Sequence, residues 1–337
     1  MDKKILLGHG SGGKLSRSLI RELFLAHFPD PVLHAQTDSA VLRVQGSHMA
    51  FTTDAFVVDP IFFPGGDIGK LAIAGTVNDL AVAGATPVYL TASFIIEEGF
   101  SFNDLEQIAR SMALEAENAD VQIVAGDTKI VNRGKCDKVF ITTSGVGWIE
   151  EAFITVSEGT FIQPGDRILI NGPVGDHGMA VLSARELHQF KTTIRSDCAS
   201  LNHIIHKVKE VCPEVRFMRD ATRGGLATVL AELAENRPFG VEIRESAIPV
   251  NESTQGLCEV LGYDPMYVAN EGKFVSVVPS ASADDVLAAL QNDPLGSQAA
   301  IIGEIVKQPA GHVWMKTTIG GKRLIDMLAG EQLPRIC

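Results

Sequence analysis

The stretch Phe51–Pro87, FTTDAFVVDPIFFPGGDIGKLAIAGTVNDLAVAGATP, runs from a strand through a long apolar helix to the threshold of a second strand. Met49–Thr53 has the apolar, β-branched character of a strand, ending at Asp54, and Val88–Ile96 resumes that pattern. Between them, Ile68–Ala83 carries apolar residues at spacings of three and four, which predicts a helix stopping near Gly84. Asp79 sits inside its apolar stretch Leu71–Ala85. A carboxylate near a helix C-terminus opposes the helix dipole, and apolar surroundings add a desolvation cost, so a bound cation would relieve both.

Outward from this stretch the same alternation continues. Strands are expected at Ala40–Val44, Val121–Val124 and Val139–Val146, with helices at Leu15–Phe28 and Asn103–Glu117. A turn-rich segment, Glu158–Asp166, places a domain boundary near residue 158, so 1–158 and 159–320 read as two α/β domains. The second has helices near His177–Gln189, Leu201–Val211, Arg223–Asn236, Glu252–Leu261 and Ala283–Gln291. Its strands are expected at Arg167–Ile170, Val241–Arg244, Lys273–Val278 and Ala299–Ile305. The glycine-rich remainder, 321–337, reads as a mobile tail. A chain of 337 residues is long enough for two such cores.

Composition narrows the function. Charged residues make up 21% and the net charge is −12, which opposes broad binding to nucleic acid or anionic lipid. No apolar run reaches the about 18 residues of a membrane span. The five cysteines form no CxxC pair and no disulfide framework, so a reducing cytoplasm is the expected setting.

Several short segments could carry chemistry. Gly8–Lys14, GHGSGGK, could bring backbone N–H groups up to phosphate oxygens through Gly10, Ser11, Gly12 and Gly13, or be a flexible turn; it is not a GxxxxGK[ST] loop. Asp38 and Asp54 flank strands, and Asp220 precedes a helix where a capping role would also account for it. With Asp79 they make four hard oxygen donors, a set suited to Mg²⁺ shared with phosphate. Gly126-Asp127-Thr128-Lys129 follows a strand, and Lys129 reads either as a point charge for a phosphoryl group or as part of a polar turn. Glu271, in Asn270-Glu271-Gly272-Lys273, is a general base if shielded from water and otherwise a solvated carboxylate. Cys337 ends the chain after Pro334-Arg335-Ile336, either as a substrate-presenting arm or as a frayed terminus.

Taken together these motifs resemble the HypE family, the carbamoyl dehydratases of NiFe-hydrogenase maturation. That family lies within the ATP-binding superfamily of aminoimidazole ribonucleotide synthetase, selenophosphate synthetase and thiamine monophosphate kinase. The likeness covers nearly the whole chain: GHGSGG at Gly8–Gly13, the Phe51–Pro87 stretch, GDTK at Gly126–Lys129, GDHG at Gly175–Gly178, RDATRGG at Arg219–Gly225, NEGK at Asn270–Lys273 and, most specific, PRIC at Pro334–Cys337.

The resemblance implies two α/β domains, the first dimerising through its sheet, around an ATP cleft. It implies Asp38, Asp54, Asp79 and Asp220 as Mg²⁺ ligands, and Gly10, Ser11, Gly12, Gly13, Asp127, Thr128, Arg223 and Asn270 as nucleotide-binding residues. It implies a carbamoyl group placed on Cys337 by the carbamoyltransferase HypF and dehydrated to a thiocyanate with ATP, and cyanide passed to the HypC–HypD complex. Glu271 as base and Lys129 at the phosphoryl group are assigned by position. Rival expectations are a selenophosphate synthetase-like or small-molecule kinase activity and a non-catalytic ATP-sensing scaffold. The first lacks its usual nucleophile, since no cysteine precedes Cys136.

Overall fold

The structure, a computed structural model, describes residues 5, 6, 9, 13–28, 31–185, 192–328, 333, 336 and 337. The expected phosphate-cradle residues Gly10, Ser11 and Gly12, and the tail residues Pro334 and Arg335, lie outside the described residues.

Strands β1 (Ala40–Val44), β2 (Ser47–Phe56), β5 (Ala85–Glu97), β6 (Gln122–Val131) and β7 (Val139–Ile149) form one sheet in the order β1-β2-β7-β5-β6. A small hairpin, β3 (Phe62–Phe63) with β4 (Gly66–Asp67), leads into helix α4, Ile68–Val82. β5 and β6 are parallel, joined by helix α5, Phe102–Asn118, and the remaining pairs are antiparallel. Helix α4 is buried nearly all round, as its uniformly apolar sequence requires. It packs on the first sheet, on α5 and on elements of the second half. Asp67 caps it: Oδ1 accepts from the Gly69 and Lys70 N–H groups at 2.7 and 3.0 Å. A Cβ on Gly69 would stand 2.5 Å from the Ile108 carbonyl, so the glycine permits the close approach of α5.

The second half builds a seven-stranded sheet, ordered β14-β13-β10-β12-β8-β11-β9. Its members are β8 (Arg167–Ile170), β9 (Phe217–Asp220), β10 (Gly240–Arg244), β11 (Phe274–Val278), β12 (Ala300–Val306), β13 (Val313–Lys316) and β14 (Lys322–Ile325). Helices α6 (Asp176–Arg185), α7 (Asn202–Val211) and α8 (Gly225–Ala234) lie in the same half. No helix among the described residues is long and apolar enough to cross a membrane.

Three expectations are corrected. The helix expected over Leu15–Phe28 is Lys14–Leu19, a wider π-helical turn at Ile20–Phe24, and Leu25–His27. Residues 322–325, expected in a mobile tail, are a strand paired with β13, because β14 buries Ile325 against the sheet. The GDTK segment is not a turn: β6 runs through it to Val131, since the parallel ladder with β5 satisfies its backbone.

Candidate active site

The carboxylates gather where β2, the end of α4 and the end of β9 meet. Asp54 lies on β2, Asp79 in the last turn of α4, Asp220 at the end of β9, and Asp38 just before β1. Thr52 Oγ1 lies 2.9 Å from Asp79 Oδ2 and 2.9 Å from the Asp38 carbonyl, bridging the two segments. Burial, then the neighbouring carboxylates Asp54, Asp220 and Asp38, push Asp79 well above the usual carboxylate range. Asp220 is raised by burial and by Asp38 and Asp54. Asp54 is raised by burial, partly offset by Arg223 and by a hydrogen bond to Asp79. These carboxylates take up protons as one coupled unit.

The fourth carboxylate, Asp38, is paired with an arginine. Arg219 Nε lies 3.1 Å from Asp38 Oδ2, and its Nη1 donates to Glu232 Oε2 at 2.9 Å. Among the described residues no group of three or more His, Cys, Asp or Glu side chains is arranged to hold a metal ion by itself. The donor chemistry, clustered hard oxygens destabilised as anions by one another, nevertheless suits Mg²⁺.

Close to this cluster stands Glu271, 3% exposed, with Oε1 lacking any hydrogen-bond partner. Burial first, then Asp220, Asp197 and Asp54, drive its pKa well up, against a lowering by Arg223. The loop that carries it is held tightly. Asp197 accepts from the Glu271 and Gly272 N–H groups at 3.2 Å each and pairs with Lys273 Nζ at 3.0 Å. Although burial works against it, Lys273 keeps Asp197 below the ordinary carboxylate range. Gly272 admits no side chain, since its Cβ would stand 1.9 Å from the Asp197 carbonyl. Asn78, one residue before Asp79, donates to the Ala199 carbonyl at 3.1 Å and accepts from Leu201 N–H at 2.7 Å. It also lies 3.4 Å from the Glu271 carbonyl, tying α4 to the loop that carries Glu271. Asp197 and Asn78 escaped the sequence reading because only the tertiary contact defines their roles.

The end of the chain lies in this cleft. Ile336 is 3% exposed, and Val57 N–H donates to the Cys337 carbonyl at 3.2 Å. The Cys337 thiol is hydrogen-bonded to Glu271; burial pushes its pKa up, Arg223 pulls it down, and Glu271 and Asp54 raise it further. Arg223 keeps solvent contact along its side chain, while Cys337, Asp54, Glu271 and Asp79 favour its charge. A partly buried thiol, a carboxylate, a guanidinium and a carboxylate cluster thus share one cleft.

Sequence profiles described as AIR synthase related protein, N-terminal domain, and AIR synthase related protein, C-terminal domain, match residues 36–149 and 163–316. A relative from Cupriavidus necator named carbamoyl dehydratase HypE is 50% identical over 335 residues, covering 99% of this chain and 95% of that protein. The chain belongs to the HypE family. A solved HypE structure in complex with ATP has a TM-score of 0.81 at 47% identity, covering 99% of this chain and 100% of that one. A HypE–HypF complex has a TM-score of 0.86 at 46% identity, covering 92% and 100%.

Not every residue that the HypE motifs suggested reaches the cleft. Asn270 is fully buried: Oδ1 accepts from Gly175 N–H at 2.7 Å, while Nδ2 donates to the Ala221 and Val268 carbonyls at 2.8 and 3.1 Å. With both donors committed to backbone, it is a clamp for three loops rather than a nucleotide ligand. Asp127, Thr128 and Lys129 lie on exposed edge strand β6, where Lys129 Nζ donates to Asp127 Oδ2 at 2.6 Å. Three strand spacings, about 14 Å, separate β6 from β2. Within one chain they do not join the acids. Gly13, ahead of helix Lys14–Leu19, packs against the segment that follows β14: its Cβ would stand 2.5 Å from the Leu328 carbonyl.

Proposed function

We propose that the chain performs its family's reaction, the ATP-dependent dehydration of a carbamoyl group carried on Cys337 to a thiocyanate that supplies cyanide in hydrogenase maturation. The observation that carries this reading is the Cys337 thiol seated against Glu271 beside Arg223. A kinase acting on a free small molecule has no use for a docked C-terminal thiol.

The carbamoyl carbon on sulfur bears one oxygen and one NH₂. The oxygen attacks the γ-phosphorus of ATP, ADP leaves, and one proton departs from nitrogen. Loss of the second nitrogen proton, with cleavage of the carbon–oxygen bond, expels phosphate and leaves S–C≡N. Glu271 is suited to take a proton because Oε1 is an unpaired acceptor in a dry site and its raised pKa makes its carboxylate a strong base. Arg223 provides positive charge beside the sulfur and the incoming phosphates. Asp54, Asp79 and Asp220, with Asp38 once released from Arg219, would hold Mg²⁺, which would stabilise charge on the moving phosphoryl group.

HypF is the carbamoyl donor in this reading, in keeping with the HypE–HypF complex of a relative. The HypC–HypD complex would accept the cyanide, and the setting would be cytoplasmic. A homodimer formed through the first sheet is supported by β6, which is exposed along nearly its whole length and displays Ile123, Val124 and Ile130. Such a dimer would offer Asp127, Thr128 and Lys129 to a cleft shared between copies.

Glu271→Gln tests the base. Single-turnover conversion of carbamoylated protein to cyanated protein is expected to slow about 10²-fold, with ATP binding unchanged. In the wild type the same rate should rise with pH through a limb above the ordinary carboxylate range, because only deprotonated Glu271 accepts a proton and its pKa is raised. A normal rate in the variant, or no such limb, removes Glu271 from the role.

A further inference from the structure

His177 is completely buried in α6, and no step above uses it. Its ring has partners on both nitrogens: Nε2 lies 2.7 Å from the Ile336 carbonyl and Nδ1 2.8 Å from Ser196 Oγ. The Phe63 ring meets it edge-on, centroids 5.4 Å apart. Burial lowers its pKa, so the ring is neutral at physiological pH. A carbonyl only accepts, so the proton sits on Nε2, and Nδ1 must then accept from the Ser196 hydroxyl. Ser196 Oγ in turn accepts from the Cys198 N–H at 3.0 Å. The chain of donors therefore runs in one direction, from the 196–198 loop through the imidazole to the peptide bond that joins Ile336 to Cys337. If the tail left, Nε2–H would lose this acceptor.

We propose that His177 is a positioning residue that latches the C-terminal tail by its hydrogen bond to the Ile336 carbonyl and so sets Cys337 against Glu271 for dehydration. Its neighbours fit that role. Gly178 is bare where Leu333 passes, its missing Cβ 3.3 Å from Leu333 Cδ1, and Ile336 plugs the apolar core. Because a carbamoyl group must be loaded while the tail is exposed and dehydrated while it is docked, the latch favours the second step over the first. This inference rests on the carbamoyl-carrier reading of Cys337, but its first arm does not.

The full chain is used, as wild type, His177→Asn and His177→Gln. A Gln amide nitrogen reaches the place of Nε2 and can still donate to the Ile336 carbonyl; an Asn amide nitrogen cannot. The first arm measures alkylation of Cys337 by iodoacetamide, read on the C-terminal peptide by mass spectrometry. His177→Asn should raise that rate about 10-fold, the loss of one buried hydrogen bond, and His177→Gln should restore most of the protection. The second arm loads carbamoyl through the carbamoyltransferase and follows a single turnover with ATP: loading should be no slower in His177→Asn, and dehydration should be slowed about 10-fold. Should His177→Asn fail to fold, Ser196→Ala, which frees the imidazole from its orienting hydroxyl, should move both readouts in the same direction by a smaller factor. Wild-type protection of Cys337 in folded His177→Asn or Ser196→Ala overturns the latch, as does slowed dehydration without faster alkylation. If wild-type Cys337 accepts no carbamoyl group, the carrier reading fails while the alkylation arm still decides the latch.

Discussion

Cys337→Ala is expected to fold, to bind ATP and to form no carbamoylated or cyanated product. The substitution removes one sulfur from the end of a chain whose anchor, Ile336, stays in the core, so the stability cost should stay near about 1 kcal/mol and the melting temperature should shift by only a few degrees. No other thiol can take over. Cys198, Cys212 and Cys258 are buried within the hydrophobic cores, whereas Cys337 is only partly buried. Cys136 lies near the far edge of the first sheet, with Sγ 3.5 Å from the Ile95 carbonyl. Peptide mass spectrometry and titration with an ATP analogue read the two halves separately. Undiminished cyanide formation would remove Cys337 from the chemistry, whereas lost ATP binding would make the tail part of the nucleotide site.

Asp79→Asn should change stability and turnover in opposite directions. The folded pKa of Asp79 is raised well above the ordinary carboxylate range, chiefly by burial and then by Asp54, Asp220 and Asp38. A carboxyl raised in this way contributes stability that is fully present below the unfolded pKa and is lost as pH rises through the folded pKa. At neutral pH without nucleotide, Asp79 is therefore a liability. Asn keeps an acceptor for Thr52 and gains a donor for Asp54 while removing one ionisable member of the cluster. The variant should melt higher than wild type at neutral pH, by about 2–4 °C for each kcal/mol relieved, and the advantage should shrink in acid. ATP turnover should fall by about 10³-fold or more, because a lost Mg²⁺ ligand removes several kcal/mol of transition-state stabilisation. Thermal melts across pH and phosphate release measure both. Wild-type phosphate release would take Asp79 out of the metal site, and a lower melting point would contradict the stored electrostatic cost.

What the sequence made legible followed from how conspicuous each residue is in its local setting. Asp79 is out of place in an apolar helix, whereas Asp38 and Asp54 at strand flanks and Asp220 before a helix joined it only as a set of hard oxygen donors and through the family resemblance. The uniformly apolar α4 could only be a buried helix. By contrast, β14 reads Lys322-Arg323-Leu324-Ile325 and buries only Ile325, so neither alternation nor hydrophobicity marked it as a strand. The GDTK segment has turn-like residues, yet tertiary pairing with β5 holds it extended. Asn270 sits in a motif whose position suggested ligand binding, but its amide is spent on the Gly175, Ala221 and Val268 backbones. The latch geometry of His177 and the support of Asp197 join residues far apart in sequence, and no local pattern encodes such contacts. Cys337 stood out because the sequence ends on it; that it rests inside the cleft emerged only from the fold.

The central claim is that Cys337 carries a carbamoyl group which this chain itself dehydrates. The most direct measurement is mass spectrometry of the intact protein and its C-terminal peptide after incubation with the carbamoyltransferase, carbamoyl phosphate and ATP. The account predicts a carbamoyl adduct on Cys337 that loses the mass of one water in an ATP-dependent second step, leaving a cyano group on the same sulfur. A stable carbamoyl adduct that never loses water in the presence of ATP and Mg²⁺, or a modification on any residue other than Cys337, would contradict it.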